Sequence, residues 1–214
     1  LSAHAKTGLV TFCGPNLEHV TSKQTFDALK RAVTASENLP VIEGAYAPAG
    51  SDGDASSSGK RPKPADKWEL KYTYSPVQGT AEGALIGGNL TALSSLMGTS
   101  YQPPFKNSIL FLEDIDESND MLDRWFTNLY VAGSLNEVSG VAFGDFVNCA
   151  ARDCVNLYSL EDLFGDRLKE LSKPCCFAMP LGQSSRAVTV PIGVRVKLDT
   201  FRSTIEFLEP ATTA

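Results

Sequence analysis

Histidine is almost missing from this chain, which has only His4 and His19 among its 214 residues. Imidazole is the side chain whose ordinary pKa lies near neutrality, so a hydrolytic centre here has few places to find a base. Long apolar runs are lacking too. None approaches the ~20 residues that cross a bilayer, and Leu1-Ser2-Ala3-His4-Ala5-Lys6 does not follow the charged-then-apolar order of a signal peptide. No membrane partner is expected. Cationic excess is absent, with 19 Lys and Arg against 25 Asp and Glu, a net charge of −6 and a pI near 5.0. Apart from Lys60, Arg61, Lys63 and Lys67 in one polar stretch, the basic residues are scattered, so nucleic acid finds no electrostatic footprint.

The five cysteines, Cys13, Cys149, Cys154, Cys175 and Cys176, are an odd count with no two-residue spacer or histidine partner of a zinc site. Buried thiols in the cytoplasm or another reducing compartment are expected, with neither metal nor other cofactor. Cys175 and Cys176 are adjacent in an apolar strand-like run, which sends their side chains to opposite faces. Cys13, beside Gly14 and near His19, is a candidate nucleophile only if a base or helix terminus lowers its pKa; a small buried hydrophobe is the simpler expectation. The glycines at 79, 83, 87 and 88 lack the Lys-Ser/Thr ending of a P-loop and the spacing of a dinucleotide fingerprint, so they read as points of close backbone approach.

What is present is enough for a core: 43% of the residues are hydrophobic, and one domain, or one domain with a short arm, is expected. The first residue is not Met, and Leu1 opens on what reads as a helix end running into a strand over Leu9 to Phe12, the pattern of a fragment or processed product. A helix near Thr25 to Ala35, capped by Thr21 or Ser22, carries Phe26, Leu29, Ala32 and Val33 at helical spacing. From about Ala45 to Asp66 the composition turns to Ala, Gly, Ser, Asp, Pro and Lys, the signature of a flexible insertion. Trp68 to Tyr74 alternates as a half-buried strand, and a helix runs from about Asn89 to Met97 before Gly98. Strands at Ser108 to Leu112, Val141 to Phe143 and Cys175 to Met179 alternate with helices at Asn119 to Ala132 and Leu160 to Leu171. Short strands at Val188 to Pro191, Val194 to Leu198 and Ile205 to Leu208 close the chain. The expectation is an α/β fold, a mixed sheet with flanking helices and a β-rich C-terminal tail.

Several segments, in this order, resemble the LD-carboxypeptidases, serine peptidases that also include the microcin C self-immunity proteins. They are Thr7 to Pro15, Gly87-Gly88-Asn89-Leu90, Gly98 to Tyr101, Ile109-Leu110-Phe111-Leu112-Glu113-Asp114, Gly140 to Phe146, Pro180-Leu181-Gly182-Gln183 and Val190 to Val194. None is specific alone; their joint order is. The resemblance implies a connector from the nucleophile domain over residues 1–44, the insertion over 45–67, and the family's C-terminal domain over 68–214. It implies that the nucleophilic serine would fall before Leu1, that Glu113 takes the family's glutamate position, and that Gln183 stands where the histidine would be. Cys13 stands where a histidine commonly precedes the Gly-Pro pair. Gly88, Asn89 and Trp68 take substrate-binding positions, Trp68 where an aromatic residue of the microcin-immunity branch faces an adenylate.

Serine acyl transfer needs a base in reach of the hydroxyl and a third group that orients and charges that base. A glutamine amide accepts no proton at neutral pH, although Gln183 can still hydrogen-bond Glu113. The resemblance therefore implies a murein tetrapeptide L,D-carboxypeptidase scaffold with a degenerate centre, whose ligand would be a murein peptide or a peptidyl-nucleotide. The alternative is a structural subunit that reuses the fold and binds other protein chains, and a homodimer is compatible with either. Glu113 also has a plain reading as a carboxylate that bounds a buried strand.

Overall fold

The computed structural model describes residues 2–16, 20, 22–44, 74–149 and 160–212. The expected insertion, Trp68 and most of the strand expected from it, His19 and Cys154 lie outside the described residues.

Segment Ser108–Ile115 (β5) carries no polar side chain between Ser108 and Glu113, and every residue from Ser108 to Asp114 is buried. A strand apolar on both faces needs cover on both sides. It lies inside an eight-stranded sheet, between Thr80–Asn89 (β4) and Gly140–Val147 (β6). Both neighbours run parallel to it, and Cys175–Phe177 (β7) extends the parallel centre beyond β6. The remaining strands are antiparallel additions. Tyr74–Val77 (β3) pairs with β7, while Arg195–Asp199 (β9), Thr204–Phe207 (β10) and Ile42–Glu43 (β2) follow one another outward from β4. A two-stranded ribbon of Thr11–Cys13 (β1) and Val190–Ile192 (β8) forms a second, small sheet.

The sheet separates two cores, and strand alternation sorts residues between them. Leu110, Leu112, Phe143 and Cys175 pack with Leu90, Leu93, Phe126 and Phe164 on one face. That face is covered by helices Leu90–Leu96 (α3), Asn119–Val131 (α4) and Leu160–Glu170 (α6), with the single turn Ser134–Glu137 (α5) after α4. Ile109, Phe111, Ala142 and Cys176 join Val190, Ile192, Val196 and Ile205 on the other. The neighbouring cysteines thus serve opposite cores, as their adjacency in a strand requires.

The strand β4 is longer than its sequence suggests, because glycines stand where side chains would collide with a neighbour. A Cβ at Gly83 would lie 2.3 Å from Asn107 O, and one at Gly87, whose φ is +121°, would lie 1.9 Å from Phe111 O. Those glycines dilute the hydrophobic pattern and admit the partner strand at once.

Two short elements precede the sheet, helix Ser2–Thr7 (α1) and helix Lys23–Thr34 (α2). Ser22 is the N-cap of α2, accepting from Thr25 N at 3.1 Å. The expected apolar face of α2 is only partly inward: Thr25 and Ala32 are buried, but Phe26 is 56% exposed and Val33 42%. At 3.6 residues per turn, positions 26 and 33 are rotated ~100° from 25 and 32, so one helix side cannot bury both pairs.

Candidate active site

Adjacent carboxylates at the carboxyl end of β5 point to opposite faces and do different things. Asp114 turns toward the helical face. Its oxygens accept from Thr91 N at 2.9 Å, Thr91 Oγ1 at 2.8 Å and Asn89 Nδ2 at 2.6 Å, fixing the first turn of α3. Asn89 Oδ1 accepts from Ala92 N at 2.8 Å and caps the same helix. Glu113, 2% exposed, turns to the other side.

There it meets the loop after β7. The side-chain amide of Gln183 donates toward both Glu113 oxygens, at 3.4 Å each, and its own Oε1 accepts from Asn16 Nδ2 at 3.2 Å. Asn16 follows β1, so three distant parts of the chain converge on one polar row. The approach depends on missing side chains: a Cβ at Gly144 would lie 2.4 Å from Leu181 O, and Asp145 N donates to that carbonyl at 3.0 Å. The β5–β6 register shifts between Leu112 and Asp114, which places Gly144 and Asp145 opposite Glu113.

Asp145 then holds the loop. It accepts from Arg186 Nε at 3.0 and 2.9 Å on its two oxygens, pairs with Arg186 Nη2, and accepts from Ser184 Oγ. Arg186 Nη2 also donates to Ala178 O at 3.3 Å. Ser184, next to Gln183, and Arg186, three residues beyond it, are therefore anchored to β6.

Burial raises the Glu113 carboxyl to about 7; the Gln183 hydrogen bond opposes that shift, and the charges of Asp114 and Asp145 add to it. Cys13 lies beside Gly88, where an added Cβ would come within 3.9 Å of its sulfur, and near enough to Glu113 to feel its charge. Burial, reinforced by the Glu113 charge, pushes the Cys13 thiol up to about 11. A nucleophilic thiolate requires the opposite shift. His4 is engaged elsewhere, with Nδ1 2.8 Å from Leu9 O and its ring against Gly193.

Of the residues singled out in the sequence, Glu113 and Gln183 meet, Gly88 lies beside Cys13, and Asn89 is tied to Asp114 as a helix cap. Sequence reasoning did not single out Asn16, Asp114, Asp145, Ser184 or Arg186. Polar residues directly following buried runs were the available signal for Asp114 and Asp145.

A parallel strand centre that gathers polar side chains at its carboxyl ends defines the class: mixed α/β proteins that build their sites at that edge. A family model described as the LD-carboxypeptidase C-terminal domain matches residues 82–198. The chain belongs to the LD-carboxypeptidase family. It is 30% identical over 201 residues to a Bacillus subtilis protein named as a probable murein peptide carboxypeptidase, covering 94% of this chain and 56% of that one. It is 28% identical over 220 residues to the microcin C7 self-immunity protein of Escherichia coli, covering 96% of this chain and 61% of that one. Among solved structures, the muramoyltetrapeptide carboxypeptidase of Oxalobacter formigenes superposes with a TM-score of 0.73 at 24% identity, covering 98% of this chain and 65% of that one. The chain thus spans less than two thirds of the length of each of these relatives.

Proposed function

We propose that this chain carries the glutamate and base positions of a murein-peptide L,D-carboxypeptidase, and that its centre is catalytically degenerate because position 183 is glutamine. The observation that supports this reading is the contact of the Gln183 amide with both oxygens of Glu113 at 3.4 Å. In a serine hydrolase the carboxylate orients an imidazole, which takes the serine proton and later returns it to the leaving amine. Here the amide occupies the orienting contact but has no basic nitrogen, so geometry is kept and proton transfer is lost. The names of the Bacillus and Oxalobacter relatives support a murein peptide as the ligand class. Titles of microcin-immunity structures with aspartyl or glutamyl sulfamoyl nucleosides support peptidyl-nucleotides as a second ligand type.

The test is turnover of a murein tetrapeptide by a protein that joins this chain to the family's serine region. With Gln183 in place, turnover should be at background, and Gln183→His should raise it by at least a hundredfold, within the range general-base catalysis supplies. Turnover by the Gln183 form, abolished by Glu113→Ala, would overturn the degenerate reading. No gain in the His variant, with stable capture of other protein chains, would favour the structural alternative.

A further inference from the structure

A cleft of about 700 Å3 lies beside the candidate site, between α2 and the β2–β10 edge of the sheet. Its volume falls in the range of small-molecule sites. Apolar groups such as Ile42 and Phe207 line it, while Pro180 and Val188 contribute to it from the loop that carries Gln183. One side is charged in an ordered way. Lys23, Asp27 and Arg31 all face the cleft from α2 at intervals of four residues. At 1.5 Å per residue this is a plus, minus, plus row with ~6 Å steps.

Groups four apart on a helix are placed to pair with each other. These do not: among the described residues, Lys23, Asp27 and Arg31 form no ion pair and no side-chain hydrogen bond. Glu43 adds a second carboxylate to the cleft from β2 and can share a ligand ammonium with Asp27. The row on α2 is left for a ligand of the inverse pattern, carboxylate, ammonium, carboxylate. Arg186, which also lines the cleft, is already taken by Asp145.

We infer that this cleft binds the charged, non-scissile part of a murein-type peptide, its γ-linked glutamate carboxylate and diamino-acid ammonium and carboxylate lying along Lys23, Asp27 and Arg31. The inference rests on the functional reading above for its ligand class and extends it to a second set of residues. The Gln183 loop is shared by cleft and site, so a peptide seated in one runs toward the other.

The test titrates the chain with the dipeptide N-acetyl-γ-D-glutamyl-meso-diaminopimelate, which carries those charged groups but no L,D bond to a leaving residue, and separately with the murein tetrapeptide. Saturable dipeptide binding that shifts backbone amides of residues 23–31 and 39–43, and that weakens at least tenfold in Lys23→Gln/Arg31→Gln, supports the cleft. Both side chains are exposed on α2, and Lys23→Ala alone, expected to weaken binding several-fold, serves as a milder variant. Unchanged affinity in the variants, or no saturable dipeptide binding, overturns the proposal. So does loss of the cleft signals through self-association before any peptide is added, which assigns the surface to a second copy. Tetrapeptide binding that survives the double variant but is lost in Gln183→Ala overturns the cleft and leaves the functional reading standing. Dipeptide binding in the cleft, with tetrapeptide binding indifferent to Glu113→Ala, supports the cleft and counts against that reading.

Discussion

Glu113 occupies the space that a side chain at position 182 would need. Gly182 has φ +108°, and a Cβ there would lie 2.9 Å from Glu113 Cβ and 3.0 Å from Glu113 Oε2. The backbone angle is itself unfavourable for any residue with a Cβ. Gly182→Ala is expected to cost ~2 kcal/mol in urea unfolding and to lift Gln183 off the carboxylate. The side-chain amide resonances of Gln183 would report that separation; unchanged resonances would refute it.

The raised pKa of Glu113 makes stability depend on pH. Its folded value of about 7 against an ordinary 4.5 means that the native chain holds this proton more tightly than the unfolded chain does. The associated stability is fully present below the unfolded value and is lost as pH rises through the folded one. Replacing Glu113 by Gln removes the dependence. Glu113→Gln should match the parent near pH 4 and exceed it by ~3 kcal/mol at pH 8. Denaturant unfolding at the two pH values gives the difference, and parallel curves for parent and variant would contradict the assignment.

Asp114 is expected to be a stability residue rather than a ligand-binding one. Asp114→Ala leaves Thr91 N, Thr91 Oγ1 and Asn89 Nδ2 without their shared acceptor. The loss should be ~3 kcal/mol, the range for a buried charged acceptor removed from several donors. Amide exchange in the first turn of α3 should rise with it.

Asp145 restrains the Gln183 loop without touching Gln183. Removing its carboxylate frees both Ser184 and Arg186. Asp145→Ala should cost ~1 kcal/mol globally, because Arg186 is partly exposed. It should speed amide exchange across residues 181–187 while leaving Leu110 and Leu112 in β5 protected. Uniform acceleration across both regions would mean that the residue supports the sheet as a whole.

Cys13 should alkylate slowly. With its thiol near pKa 11, the thiolate fraction at neutral pH is on the order of a hundredfold below that of a free cysteine. Peptide-level mass spectrometry after iodoacetamide treatment measures this directly. Because the Glu113 charge contributes to the shift, Glu113→Gln should accelerate the reaction at pH 8, whereas rapid alkylation of the parent would reopen Cys13 as a nucleophile.

The parts of the fold that were legible in the sequence are those where one residue type dominates a segment. The unbroken apolar run of β5 announced a doubly covered strand, and Ser22, one of two candidate caps, announced the start of α2 through its capping chemistry. The run Thr80 to Asn89 was harder, since Gly83, Gly87 and Gly88 earn their places by what they leave out, and an absence has no periodicity. On α2 the apolar spacing of Phe26 and Val33 suggested a buried stripe, yet which helix side meets the sheet is set by tertiary packing. At the site, the Glu113 and Gln183 pair was reached through family order, and the structure sets the Gln183 amide 3.4 Å from each Glu113 oxygen. Asp145 escaped notice because its role depends on a register shift between β5 and β6, a property of two strands together and of neither alone.

Asn16 and Gln183 touch across 167 positions of chain, and Gln183 and Glu113 across 70. Contacts of such separation form only after the intervening chain has been organised. During synthesis, Asn16 and Glu113 therefore emerge with their eventual partner still unmade, and the polar row can close only once residue 183 has followed them. A ribosome stalled before the β7 segment would carry Asn16 and Glu113 without the amide that joins them.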